Sequence, residues 1–117
     1  MEKTENSLGI TEVTKGDVVI IRIKGKLDAN LSMTIEKKAI DYTNQGLTKI
    51  LFNLSDTSYI NSAGLRMLLS IKKQVKTSGG KFIVCGLNSE VTEIMKICGF
   101  DHVLEITKSE EDAVRQF

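Results

Sequence analysis

Lys49-Ile50-Leu51-Phe52-Asn53-Leu54, followed by Ser55-Asp56-Thr57-Ser58-Tyr59-Ile60-Asn61-Ser62-Ala63-Gly64-Leu65-Arg66, decides the fold. The first six residues are apolar apart from Asn53 and the opening lysine. A strand covered on both faces has that composition, and such strands are central and parallel. The residues after it carry leucines at helical spacing. Leu65, Leu68, Leu69 and Val75 form a predicted core stripe, with Arg66, Lys73 and Lys76 outside it. The helix is expected to run from about Ser62 to Thr77 and to stop at Ser78-Gly79-Gly80. A strand followed directly by a helix is half of a βαβ unit, with a serine at the junction.

The same pattern repeats on either side. Leu8 to Thr14 reads as an edge strand, Lys15-Gly16-Asp17 as a turn, and Val18 to Ile23 as a β-branched strand completing a hairpin. After Gly25-Lys26-Leu27-Asp28, Asn30 or Ser32 is expected to cap a helix with Leu31, Ile35, Ala39 and Tyr42 on its apolar side. Lys81 to Cys85 is a further buried strand. Asn88 or Ser89 opens a helix carrying Val91, Ile94, Met95 and Cys98, which Gly99 ends. Val103 to Ile106 is a last short strand, and Thr107 with Glu110 suggests a capping box for a terminal helix. The order ββαβαβαβα predicts an α/β fold with a mixed, mostly parallel sheet and helices packed against it. Residues 1–7 are assigned to a flexible tail and residues 8–117 to one domain. The open edge of the hairpin permits strand pairing between copies.

Composition removes several function classes. Sixteen basic and 15 acidic residues leave a formal charge of +1, which gives no electrostatic case for nucleic acid or an anionic membrane surface. No apolar run approaches the ~20 residues of a membrane span. The polar start has no apolar signal-peptide core, and two cysteines without one point to the reducing cytoplasm. Both cysteines read as small buried hydrophobes. The single histidine, His102, has no clustered ligands in sequence, so no metal or other cofactor is expected. Ser78-Gly79-Gly80-Lys81 lacks the earlier glycine and the following helix of a P-loop. Glu110-Glu111-Asp112 fits the first turn of a helix, where acidic groups offset the positive end of the dipole.

Ser62 then has three readings. As a helix N-cap its oxygen would accept a backbone N–H, contributing about 1 kcal/mol. As a phosphate acceptor it would lie where a helix N-terminus favours an anion. As a nucleophile it lacks a base, and Ile60 stands where a Gly-x-Ser-x-Gly elbow needs glycine. Ala63 and Gly64 are small and leave the hydroxyl unshielded. Tyr59 and Ile60 are expected to anchor the segment in the core.

The residues resemble the STAS domain, and specifically the bacterial anti-sigma factor antagonists. The resemblance spans about Leu8 to Val114. It is carried by Gly25-x-Leu27-Asp28, by Tyr59-Ile60-Asn61-Ser62-Ala63-Gly64-Leu65-Arg66, by Gly80, by Gly86-Leu87 and by Gly99-Phe100. It implies a binding module, not an enzyme, that sequesters an anti-sigma factor serine kinase and is released when Ser62 is phosphorylated. A serine phosphatase would restore it. Ser62 matches the phosphorylated serine, Gly64 the motif glycine and Asp28 an acidic residue near the partner face. Asn61 stands where the motif usually has Asp, Ala63 where it has a second hydroxyl, and Asn53 where a strand Asp is common. The expected docking surface comprises Asp28, Ser58, Asn61, Ser62, Gly64, Arg66 and Met67, with Asp56 to Ser62 as a loop. The alternative is a scaffold or accessory STAS subunit of a transporter or stress complex, in which Ser62 is no switch.

Overall fold

The computed structural model describes residues 9–117 and, before them, the backbone of Lys3–Glu5. Lys3–Glu5 is a strand (β1), where the sequence suggested a tail; the rest of residues 1–8 lies outside the described residues. It pairs antiparallel with β2 (Ile10–Lys15), which turns back into β3 (Val18–Leu27). Three crossovers follow. Helix α1 (Ala29–Asn44) leads to β4 (Lys49–Ile60), α2 (Ser62–Thr77) to β5 (Lys81–Cys85), and α3 (Ser89–Ile97) to β6 (Glu105–Thr107). A short helix, α4 (Glu110–Val114), comes last. Among the described residues the sheet has six strands in chain order, with β3 to β6 mutually parallel. The α/β mixed sheet expected from the sequence is present, with one more strand.

Each crossover advances one strand in the same direction. Right-handed connections therefore place α1, α2 and α3 on one face, and α4 covers part of the other. The strands alternate accordingly. Ile50, Phe52 and Leu54 face the three helices together with Ile21 and Val84, and Leu68 of α2 joins the same cluster from the helix side. Leu51 faces the opposite side with Val13, Ile20, Ile83, Cys85 and Ala113 of α4. Burial pushes the Cys85 thiol up to about 12, with nearby Glu110 adding to the shift, so the thiol stays protonated at neutral pH. It serves as a small hydrophobe, as expected.

Several expectations change in the helices. Asp28 caps α1, its Oδ1 accepting the Leu31 N–H at 3.0 Å, in place of Asn30 or Ser32. Ser109 caps α4 by accepting the Asp112 N–H at 3.1 Å, and the Thr107 hydroxyl instead donates to the Ser109 carbonyl. Leu69 is 37% exposed, whereas Met67 is buried. Counting from the buried Ile71, the inward positions of α2 are 67, 68 and 75, and position 69 points away. Cys98 is exposed at the C-cap of α3. Val103 is exposed too, and β6 begins two residues after it.

Candidate functional site

Strand β4 extends beyond its neighbour. Strand β5 ends opposite Asn53, where Cys85 is the last partner. From there β4 continues to Ile60 paired with β3 alone, so Asp56 to Ile60 is strand and not loop. Two bulges accompany this. Two steps on β3, Arg22 to Lys24, match three on β4; one step, Gly25 to Lys26, matches two. Ser58 is the extra residue of the second bulge. Burial along 54–60 therefore recurs every third residue: Leu54, Thr57 and Ile60 are buried and the residues between are exposed.

Polar side chains hold this protruding half. The buried Thr57 hydroxyl donates to the Ile23 carbonyl at 2.9 Å. On the edge that β5 has vacated, Asn88 Nδ2 donates to the Thr57 carbonyl at 2.9 Å while its Oδ1 accepts the Val91 N–H and caps α3. Asn53 lies at the branch point. Its Oδ1 accepts from the Ser55 N–H and hydroxyl at 2.9 and 2.6 Å. Its Nδ2 donates to Glu110 Oε2 at 2.6 Å. The other partner of Glu110 is Arg22, whose Nε and Nη2 reach the two carboxylate oxygens at 2.6 and 3.0 Å. The Arg22 guanidinium holds Glu110 below the usual carboxylate range, against desolvation, and Asn53 adds to the lowering.

An asparagine at position 53 is thus fitted to Glu110, since an aspartate would set two carboxylates against each other. Replacing Asn53 by Asp is expected to cost about 1–3 kcal/mol at pH 7. The sign of the pH dependence follows from linkage. Glu110 is depressed in the wild type, so its contribution is present above about pH 4.3 and is lost as pH falls through the folded value. In the variant, the new carboxylate and Glu110 together would bind a proton more tightly folded than unfolded, so the variant gains as pH falls. Urea midpoints of the two proteins measured from pH 7 to pH 4 should converge; a gap that widens toward acid contradicts the contact.

At the end of β4 the chain enters α2. Asn61, not Ser62, is the N-cap: its Oδ1 accepts the Gly64 N–H at 3.0 Å and its carbonyl accepts the Leu65 N–H at 3.0 Å. Asn and Asp cap equally well, so Asn61 does what the motif Asp would do for the backbone. Ser62 is the first helical residue and is exposed, and its hydroxyl makes no hydrogen bond among the described residues. The Asn61 N–H donates to the Leu27 carbonyl, which seats the start of α2 on the end of β3 beside Asp28. Gly64 makes that seating possible. A Cβ there would lie 2.6 Å from Ile60 Cγ1 and 2.8 Å from the Leu27 carbonyl oxygen. Gly64→Ala is therefore expected to destabilise by about 1–3 kcal/mol, read as a lower urea midpoint at unchanged slope. A wild-type midpoint would show that the seat is loose.

The structure brings Asp28, Ser58, Asn61, Ser62 and Arg66 to one end of the sheet, all exposed except the half-buried Asn61. Met67 and Gly64 are buried there, so neither offers a side chain to a partner. The Tyr59 ring, expected in the core, is 46% exposed. Met33, which nothing in the sequence singles out, is 73% exposed on α1. Glu36 of α1 accepts a hydrogen bond from Ser70 of α2 at 2.7 Å. One turn back along these parallel helices from that bond stand Met33 and Arg66. Ser62, Arg66, Leu69 and Lys73 follow one another along the outer ridge of α2.

His102 lies at the other end. It precedes β6 in a 3-10 turn at Phe100–His102, where the parallel strands begin, whereas Ser62 follows β4, where they finish. That separation removes His102 as a base for Ser62. Among the described residues no group of three or more His, Cys, Asp or Glu side chains converges, and no helix is long and apolar enough to cross a membrane.

The sequence model of a family described as the STAS domain matches residues 10–113. The anti-sigma-B factor antagonist of Bacillus subtilis is 25% identical, over 81% of this chain and 86% of its own length. The crystal structure of TM1081 from Thermotoga maritima superposes with a TM-score of 0.85 at 26% identity, covering 90% of this chain and 91% of that one. The Bacillus cell fate determinant SpoIIAA in its phosphorylated form gives a TM-score of 0.72 at 21% identity, over 92% and 97% of the two chains; that likeness is one of fold.

Proposed function

Since the chain belongs to the STAS domain family, we propose that it is an anti-sigma factor antagonist, a binding module that sequesters an anti-sigma factor serine kinase in the cytoplasm. The observation that carries this reading is the division of labour at the start of α2. Asn61 does the capping, which leaves the exposed Ser62 hydroxyl free to be modified without loss of the helix start. The name of the Bacillus subtilis relative supports the partner class. No step of catalysis is asked of this chain.

The kinase would bring ATP to Ser62. The Ser62 Oγ attacks the γ-phosphorus, the bond from that phosphorus to the β,γ-bridging oxygen breaks, ADP leaves, and the hydroxyl proton passes to a base of the kinase. A serine phosphatase reverses the state by directing water at phosphorus, with release of inorganic phosphate. The docking surface is Asp28, Ser58, Asn61, Ser62 and Arg66, to which Tyr59, Leu69 and Met33 add apolar area. Phosphoserine adds roughly −1.5 to −2 charges in the middle of that surface.

The direct test is to recover the partner by affinity capture, add Mg-ATP and map the product by mass spectrometry. Phosphate on Ser62 is expected. Phosphate on Ser55, Thr57 or Ser58 overturns the site, and capture of a transporter complex without kinase activity overturns the partner class.

A further inference from the structure

Two helices of this chain begin alike. Asn61 caps α2 and Ser62 is its first residue; Asn88 caps α3 and Ser89 is its first residue. Both serines are exposed. What differs is the residue one turn on, where side chains four apart meet on the helix surface. After Ser62 that residue is Arg66, and α2 contains no acidic residue. After Ser89 it is Glu93, with Glu90 also in the first turn. Arg66 is exposed and makes no ion pair or side-chain hydrogen bond among the described residues.

We propose that Arg66 is the internal counter-ion of a phosphoryl group on Ser62, so that one modification both adds a dianion to the docking face and withdraws a cation from it. This rests on the reading that Ser62 is the modified residue. The guanidinium offers a cationic fork of donors matched to phosphate oxygens. Before modification Arg66 stands free to meet an acidic or carbonyl group of the partner. Afterwards it folds back one turn toward the phosphate. Other charged groups at this end include Lys26, paired in register with Tyr59, Asp28, whose carboxylate faces the Leu31 N–H, and Lys24 and Asp56, paired in register with each other. The Glu93 and Glu90 carboxylates leave Ser89 without such a counter-ion. The pairing also gives Ser62 a phosphorylated state that the helix itself stabilises.

The test needs neither kinase nor partner. Phosphoserine is incorporated directly at position 62 of the full chain, and the second phosphate pKa is followed by 31P NMR. Its unperturbed value is about 6. In the wild-type background it should lie about 0.2–0.4 units below that of the Arg66→Gln variant, with Arg66→Lys between. Phosphoserine placed at position 89 should titrate above phosphoserine at position 62. Equal values for phosphoserine at position 62 in the wild-type and Arg66→Gln proteins overturn the proposal. Since the phosphate is installed directly, that outcome leaves the mapping of the natural site untouched, and a natural site elsewhere would leave the measured pairing untouched.

Discussion

Phe52→Ala should lower stability by about 3–5 kcal/mol. Phe52 is fully buried on β4, and its ring meets Phe82 of β5 edge-to-face, centroids 4.9 Å apart at 86°. Truncation removes the buried ring, the aromatic pair and much of the packing between the two central strands and the helix layer. Domains of this size have a total stability of about 5–15 kcal/mol, so the loss is a large share of the whole. The thermal midpoint should fall by on the order of 10–20 °C. Ile97→Ala is the matched control. Ile97 is 77% exposed, and its truncation should stay within about 0.5 kcal/mol. Urea denaturation of both variants checks the ordering. A Phe52→Ala loss below about 1 kcal/mol would mean that the strands repack and that Phe52 is no keystone.

The strand at the centre was legible because Ile50, Leu51, Phe52 and Leu54 have apolar neighbours on both faces, and sequence carries that directly. The second half of the same strand was not. Ser55, Asp56 and Ser58 look like loop residues, but they are the exposed positions of a strand that runs on past the end of β5. The two bulges then replace the two-residue alternation by a three-residue one, which no pattern of period two detects. The bounds of α2 were readable from Leu65, Leu68 and the terminal glycines. Its phase was less so, since Leu69 is as apolar as Leu68 and only the packing of Ile71 and Val75 decides which is inside. At the site, Ser62 could be placed at the junction, but the choice between Asn61 and Ser62 as cap depends on one backbone N–H, that of Gly64. The Arg22–Glu110–Asn53 network joins residues 88 and 57 positions apart and left no local signal.

The other large effect concerns binding. In the unmodified protein, Ser62 lies in a face whose surroundings are apolar or singly charged, with Tyr59, Leu69 and Met33 available for contact. A phosphate placed there must be stripped of water as the partner closes. Leaving that charge poorly paired by the partner costs several kcal/mol. With about 1.4 kcal/mol for each factor of ten, the affinity should drop at least about a hundredfold. The fold should survive the change, because the cap is Asn61 and the helix N-terminus favours an anion. Loss of binding with the circular dichroism spectrum and thermal midpoint retained would distinguish a switch from damage. Ser62→Ala should bind like the wild type and no longer be released by Mg-ATP.

Calorimetric titration of the co-purified kinase with the unmodified chain and with the chain carrying phosphoserine at position 62 tests the switch most directly. The expected result is a dissociation constant at least about a hundredfold weaker for the phosphorylated form. Dissociation constants within about twofold of each other would contradict it, and Ser62 would then be an exposed helix residue with no part in release.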